Sequence, residues 1–230
     1  MTNEDSAPSF SRLAAERHSV RAFSDRPVAP QVLDAILKDA SASPSWSNTR
    51  PYRLALAAGE DADALRAAYC EAFDAEAGTG PRADGDFEVR RRYPDELRER
   101  SVRLGKALYA ELGIGRDDAA ARDAWSRRNV EAFSAPVIGL LYVHEGLMPF
   151  SAMDAGILLG HIFLAAKARG VDSCALGTLA IWRGPGDRFF DVPEDYRLIT
   201  GFALGYAEED PVNAFRAERA PIPRVGRKGR

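Results

Sequence analysis

Apolar and polar positions alternate along this chain in ways that assign most of its elements. Val32, Leu33, Ile36, Leu37 and Ala40 recur at helical spacing, predicting a helix from Pro30 to Ser41 with one buried stripe. A shorter helix, Ser9 to Glu16, precedes it, and a third runs from Asp61 to Asp74 with Asp61 as N-cap. Leu54 to Ala57 reads as a strand. Val137 to Val143 is apolar throughout, as suits an interior strand covered on both faces. The helix Ser151 to Arg169 shows no polar stripe, which predicts deep burial. Arg197 to Tyr206 reads as the last core strand. The order of helices, strand, long helices, strand, buried helix and strand is not a regular β-α-β alternation. It predicts an α+β fold in which a mixed, mainly antiparallel sheet is flanked by helices.

Between Gly78 and Gly85 lies a flexible connection, and beyond it a charged stretch. Arg90, Arg91, Arg92, Arg98, Arg100 and Arg103 alternate there with Glu88, Asp95, Glu96 and Glu99. Such a run is either a nucleic-acid face or a solvated helix face with i,i+4 pairs, and the interleaved acids favour the second. Leu97, Leu104 and Leu108 are its expected buried side; Gly113 to Gly115 ends the helix and Asp117 is placed to cap the next.

The chain has 230 residues, 46% hydrophobic and 28% charged, with a net charge of −3. That suffices for a sizeable core in one domain over 1–230, ordered from about 8 to 222, with a flexible basic tail at 223–230. The small negative charge offers no field for nucleic acid or an anionic membrane. Cys70 and Cys174 form no metal spacing and no disulfide framework. Met1 to Asp5 is acidic and lacks the apolar core of a leader, and no apolar run reaches the ~18 residues of a membrane helix. A cytoplasmic location is the expectation.

Candidate chemistry begins at Arg17-His18-Ser19-Val20-Arg21-Ala22-Phe23. In an extended segment alternate side chains share a face, so Arg17, Ser19 and Arg21 can converge. Two guanidinium forks and a hydroxyl suit a terminal phosphate; the plain alternative is a solvated basic segment. His161 is a core or interface histidine rather than a general acid, because no partner cluster lies beside it, and Met153 and Phe163 read as packing. No glycine-rich phosphate turn follows a strand.

Five segments in order resemble the nitroreductase family of FMN-dependent oxidoreductases, most closely its nitrobenzoate-reductase-like branch. Arg17-x-Ser19-x-Arg21 is similar to its R-x-S-x-R, and Ser43-Pro44-Ser45-Trp46-Ser47-Asn48-Thr49-Arg50-Pro51 to its P-S-x-x-N-x-Q-P loop. Asn129 to Pro136 resembles N-x-x-x-F-x-A-P, Gly170 to Cys174 resembles G-[LV]-D-[ST]-C, and Gly201 to Tyr206 with Arg216 to Pro221 resembles G-x-A-L-G-Y followed by R-x-x-R-A-P. The resemblance implies an intertwined homodimer with FMN at the subunit interface. It implies that Arg17, Ser19 and Arg21 hold the phosphate and ribityl chain, with Arg219 closing on the phosphate. Pro44, Ser45 and Asn48 would come from the second subunit, and Leu176 and Gly177 would offer backbone N–H groups near flavin N5. Arg50 stands where the family usually has glutamine, which points to a cationic substrate pocket and an acceptor bearing a carboxylate, or to an extra phosphate contact. Leu176 also replaces a frequent glutamine, and Arg127 and Arg128 are further candidates near the pocket.

The implied activity is a ping-pong reduction of a nitroaromatic, quinone or enone by NADH or NADPH, with no metal and no protein nucleophile. Other chemistries on the same fold (dehalogenation, azoline oxidation, flavin fragmentation), a non-catalytic flavin-binding regulator and a basic-helix nucleic-acid binder are the alternatives.

Overall fold

The computed structural model describes residues 6–77, 83–89 and 92–227. The acidic first residues, most of the Gly78 to Gly85 connection, Arg90, Arg91 and the last three residues of the basic tail lie outside the described residues.

In chain order the elements are α1 (Ser6–Glu16), α2 (Pro30–Ala40), β1 (Tyr52–Ala58), α3 (Glu60–Ala77), α4 (Asp95–Glu111), α5 (Ala119–Val130), β2 (Val137–His144), α6 (Phe150–Lys167), β3 (Asp172–Leu176), α7 (Gly184–Asp187) and β4 (Tyr196–Gly205). The sheet order is β1-β2-β4-β3. Every neighbouring pair is antiparallel. The sheet is thus mainly antiparallel, as expected; among the described residues its one parallel pairing is an isolated bridge between Ser19 and Ser173. β3 is a strand that the hydrophobic pattern did not announce, since its polar start reads as a turn.

β2 explains the layering. Ile138, Leu140 and Tyr142 enter one core, with Leu65 and Tyr69 of α3 and Trp125 of α5. Val137, Leu141 and Val143 enter the other, with Ile36 of α2 and Leu158, Ile162 and Phe163 of α6. The period-2 alternation of a strand thus feeds two cores, one on each face of the sheet. In β4 the register shifts opposite Leu141 and Tyr142, whose partners are Thr200 and Leu198, so Ile199 is the extra residue of a bulge. Gly139 faces Phe202, and a β-carbon at Gly139 would meet the Phe202 ring at 2.2 Å. The absent side chain is what lets the ring lie across the strand.

Several expectations change. α3 begins at Glu60, after Gly59 at φ 59°, so Asp61 lies in the first turn instead of capping it. Asp118, not Asp117, caps α5 by accepting the Ala121 N–H. Leu97 and Leu104 of α4 are exposed. This helix packs on the core through its C-terminal end, at Leu108, Tyr109 and Leu112, while its first turns stand clear. Of the expected pairs in the charged run, Arg92–Asp95 forms at 2.9 Å.

α6 is less enclosed than its composition predicts: Met153, Gly156, Gly160 and His161 face outward. His161 is thus no core residue; its Nδ1 sits 2.9 Å from the Ile157 carbonyl. By length and composition alone α6 is long and apolar enough to cross a membrane, a test that a core helix also passes. Its Asp154, however, is 1% exposed and accepts the Trp46 N–H at 2.9 Å, a tie to another part of the same fold.

Candidate functional site

The segment leaving α1 runs extended past the edge of the sheet. Val20 N–H donates to the Ser173 carbonyl at 3.1 Å, Ser24 N–H donates to the Tyr206 carbonyl at 2.9 Å, and Phe23 bridges Ala207. Pinned between the start of β3 and the exit of β4, it turns Val20, Ala22 and Phe23 into the core. Arg17, Ser19 and Arg21 are left half-buried on the other side. Apolar alternation on one face is what directs the polar alternation on the other.

A side chain from far down the chain fixes this segment. Asn213 Oδ1 accepts N–H groups from Arg21 at 2.8 Å and Ala22 at 3.2 Å, and its Nδ2 donates to the Ala22 and Glu208 carbonyls at 2.7 and 3.0 Å. Arg128 donates to the Arg21 carbonyl at 3.3 Å and lies over the Trp125 ring. Arg127, its neighbour, is directed instead to Asp74 and Glu131, away from the segment.

Behind the segment, Ala132, Phe133 and Ser134 all have left-handed backbones, with φ of 50°, 52° and 61°. Such conformations are costly without glycine and need support. Arg66 supplies it, donating Nε to the Glu131 carbonyl at 2.9 Å and a terminal nitrogen to the Ala135 carbonyl at 2.6 Å. The Phe133 carbonyl in turn accepts the Phe23 N–H.

The electrostatics of the exposed side are unbalanced. Burial, and then the charge of Arg219, pull the Arg17 pKa below its usual value. Burial pushes the Cys174 thiol up to about 11, against the opposing influence of Arg21, a hydrogen bond with Ser19, and Arg17. Arg17, Ser19, Arg21, Cys174 and Arg219 therefore share one neighbourhood. Among the described residues none of the three arginines has a carboxylate partner. Arg219 itself is exposed and lines a cleft of about 550 Å³ between α4 and the C-terminal arm.

The segment meets β3 at Ser173, and β3 runs on from there to end at Leu176. Leu176 buries its side chain in the core, 1% exposed, and Gly177 follows at the surface. A β-carbon added at Gly177 would meet nothing within 4 Å. Neither packing nor a positive φ demands glycine there; what it leaves is open space against a backbone. The arrangement suits an elongated ligand with an anionic end at the arginines and a flat part along Gly177, and FMN meets both demands.

The loop Ser43 to Pro51 sits elsewhere. Pro44 and Asn48 are exposed, and Ser47, Asn48 and Arg50 have φ of 49°, 56° and 47°. The loop is anchored on α6 through Trp46, which stacks on Phe150 with ring centroids 4.1 Å apart and donates its N–H to Asp154. Ser45 Oγ accepts the Arg50 N–H at 3.0 Å. The Arg50 guanidinium donates to the Ser41 carbonyl at 2.9 Å, at the C-terminal end of α2. No hydrogen bond among the described residues joins this loop to Arg17, Ser19 or Arg21.

Asn213, Arg66 and Asp154 escaped the sequence reading. Asparagine near a chain end carries no pattern; Arg66 pairs locally with Asp63, but its carbonyl partners, like the Trp46 N–H that Asp154 accepts, are backbone groups many residues away.

Comparison with known proteins agrees with this geometry. A 4-nitrobenzoate reductase of Pseudomonas putida is 30% identical over 211 residues, 91% of each chain. A nitroreductase NfnB of Mycolicibacterium smegmatis is 30% identical over 228 residues, 98% of this chain and 95% of the other. The crystal structure of an FMN-dependent nitroreductase NfnB from Mycobacterium smegmatis in complex with NADPH superimposes with a TM-score of 0.89 at 29% identity, covering 97% and 100% of the two chains. An FMN- and NADPH-dependent nitroreductase NfnB from a Sphingopyxis strain does so with a TM-score of 0.83 at 33% identity, over 94% and 95%. The sequence model of the nitroreductase family matches residues 14–206, which span the arginine segment, both cores and the whole sheet: the chain belongs to the nitroreductase family.

Proposed function

We propose that this chain is an FMN-dependent oxidoreductase that uses NADPH or NADH to reduce nitroaromatics or related small acceptors such as quinones. The observation that carries the proposal is the unneutralised cluster of Arg17, Arg21 and Arg219. Burial and then Arg219 disfavour the charge on Arg17, and an anionic phosphate relieves it. The relatives support the same assignment, since the two solved NfnB proteins are described with FMN and NADPH.

In this reading Arg17 and Arg219 grip the phosphate, and Ser19 and Arg21 hold the adjoining polar chain. The Leu176–Gly177 backbone lies along the ring. Bound FMN supplies two-electron chemistry, taking hydride from the nicotinamide and passing reducing equivalents to the acceptor. The protein fixes the ring, keeps one face open to small molecules and sets the charge around it. Gly177 serves that end because any side chain would narrow the approach.

The reading also includes a homodimer. The outward face of α6, with Met153, Gly156, Gly160 and His161, gives an apolar helix a surface for a second copy. The exposed Pro44 and Asn48 and the half-buried Ser45 then meet the partner's flavin. Arg50, from the same loop, is assigned to the polar end of the acceptor, exchanging its Ser41 contact for that one. The chain is read as one domain over 1–230, with an ordered core over about 8–222.

The test is the visible spectrum of the purified protein, before and after anaerobic addition of NADPH or NADH. Flavin bands that bleach are the expected result. A colourless protein that takes up no added FMN would overturn the assignment.

A further inference from the structure

A second cavity, of about 610 Å³, opens between α4 and the start of α5. None of the residues assigned to the flavin lines it. Its lining combines apolar Val102, Tyr109 and Ile114 with cationic Lys106, Arg116 and Arg122. Its volume is that of a small-molecule site.

Three features indicate the kind of occupant. Arg122 lies over the Tyr109 ring, 5.1 Å from its centroid, while its Nε is enclosed and has no hydrogen-bond partner. An enclosed N–H without an acceptor is costly to keep. Secondly, the three cations have no carboxylate partner among the described residues. Asp118 accepts the Ala121 N–H at the start of α5 and forms no ion pair with them. Thirdly, Gly105 lies mid-helix at the cavity wall, and a β-carbon there would meet nothing within 4 Å. Glycine weakens a helix. Here it leaves the cavity wider than packing requires.

We propose that this cavity is a binding site for a one- or two-ring aromatic carboxylate, separate from the flavin. The planar carboxylate matches the terminal guanidinium nitrogens of Arg122, with Lys106 and Arg116 adding charge. The rings occupy the space beside Gly105, against Tyr109, Val102 and Ile114. An inorganic anion would satisfy the cations and leave the apolar wall wet; a neutral arene would leave Arg122 unpaired. The site rests on its own geometry and stands whether or not the flavin reading does.

The test is calorimetric titration of the purified protein, as isolated with its cofactor, with benzoate and with 2-naphthoate. Saturable binding is expected, one per chain and tighter for the larger ring system. Arg122→Gln should weaken it about tenfold or more. Gly105→Leu, which keeps every charge and fills the space, should abolish it. Melting temperature and flavin content, compared with the parent, show whether each variant is folded. Absence of saturable binding would overturn the proposal, as would affinity unchanged in both Arg122→Gln and Gly105→Leu. Strictly competitive inhibition of nitroaromatic reduction by 2-naphthoate, unaltered in Arg122→Gln, would place the ligand at the flavin and overturn it as well.

Discussion

Asn213 satisfies both backbone groups of Ala22 at once, donating Nδ2 to its carbonyl at 2.7 Å and accepting its N–H on Oδ1 at 3.2 Å. Ala22 is buried between Arg21 and Phe23, so no water can take over these bonds. Asn213→Ala is expected to destabilise the fold by about 2 kcal/mol or more, since several buried groups lose partners together. It should also loosen FMN, because Arg21 loses the same support. Thermal melting and flavin content after dialysis measure the two effects. Full flavin retention at an unchanged melting temperature would contradict the role.

Arg17→Ala and Arg219→Ala should each weaken FMN binding by about 1.5–3 kcal/mol, the cost of one charge-assisted contact. Flavin fluorescence during titration of the deflavinated protein is the measurement. If the arginines act on one phosphate, the double variant should lose less than the sum of the single losses.

Arg66 straps the left-handed turn at Ala132 to Ser134 from both ends, through the Glu131 and Ala135 carbonyls. Arg66→Ala should cost about 3 kcal/mol, as two charged hydrogen bonds disappear and strained backbone is released. The midpoint of urea unfolding reads this directly.

At Gly139 the prediction concerns packing. Gly139→Ala drives a methyl group into the Phe202 ring and should destabilise by about 1–3 kcal/mol. A combined Gly139→Ala and Phe202→Leu variant should recover part of the loss. Gly59→Ala, where a β-carbon meets no neighbour but φ is 59°, tests the separate cost of a left-handed backbone.

The thiol of Cys174 sets an alkaline limit. Burial raises its folded pKa to about 11, above the value near 8.5 in the unfolded chain. The folded state therefore holds a proton that the unfolded state releases. Its contribution to stability is complete below about pH 8.5 and declines as pH rises towards 11, by at most about 1.4 kcal/mol per pH unit. Unfolding free energy measured from pH 8 to 11 should fall, and Cys174→Ala should show a shallower fall.

The parts of the fold that were legible in the sequence are those with a local period. The apolar run of β2, the stripe of α2 and the apolar helix α6 each carry their pattern within one element. β3 was missed because five residues beginning with Asp172 and Ser173 are too short and too polar to show one. Leu97 and Leu104 misled for a related reason: helical spacing tells which face a residue occupies, but not whether anything covers that face. At the site, Arg17, Ser19 and Arg21 share a side because Val20 and Ala22 are drawn inward, a property of the segment itself. Asn213 acts across 191 residues of chain and Asp154 across 108, distances over which no spacing rule operates. Arg50 shows the limit of reading a substitution by charge, since in the folded subunit its guanidinium reaches the Ser41 carbonyl.

Burial and the charge of Arg219 both work against the charge on Arg17. In the proposed reading the chain is therefore least stable without its cofactor, and bound FMN shifts the folding equilibrium by mass action. The unfolding free energy should then climb with the logarithm of the excess of FMN over its Kd.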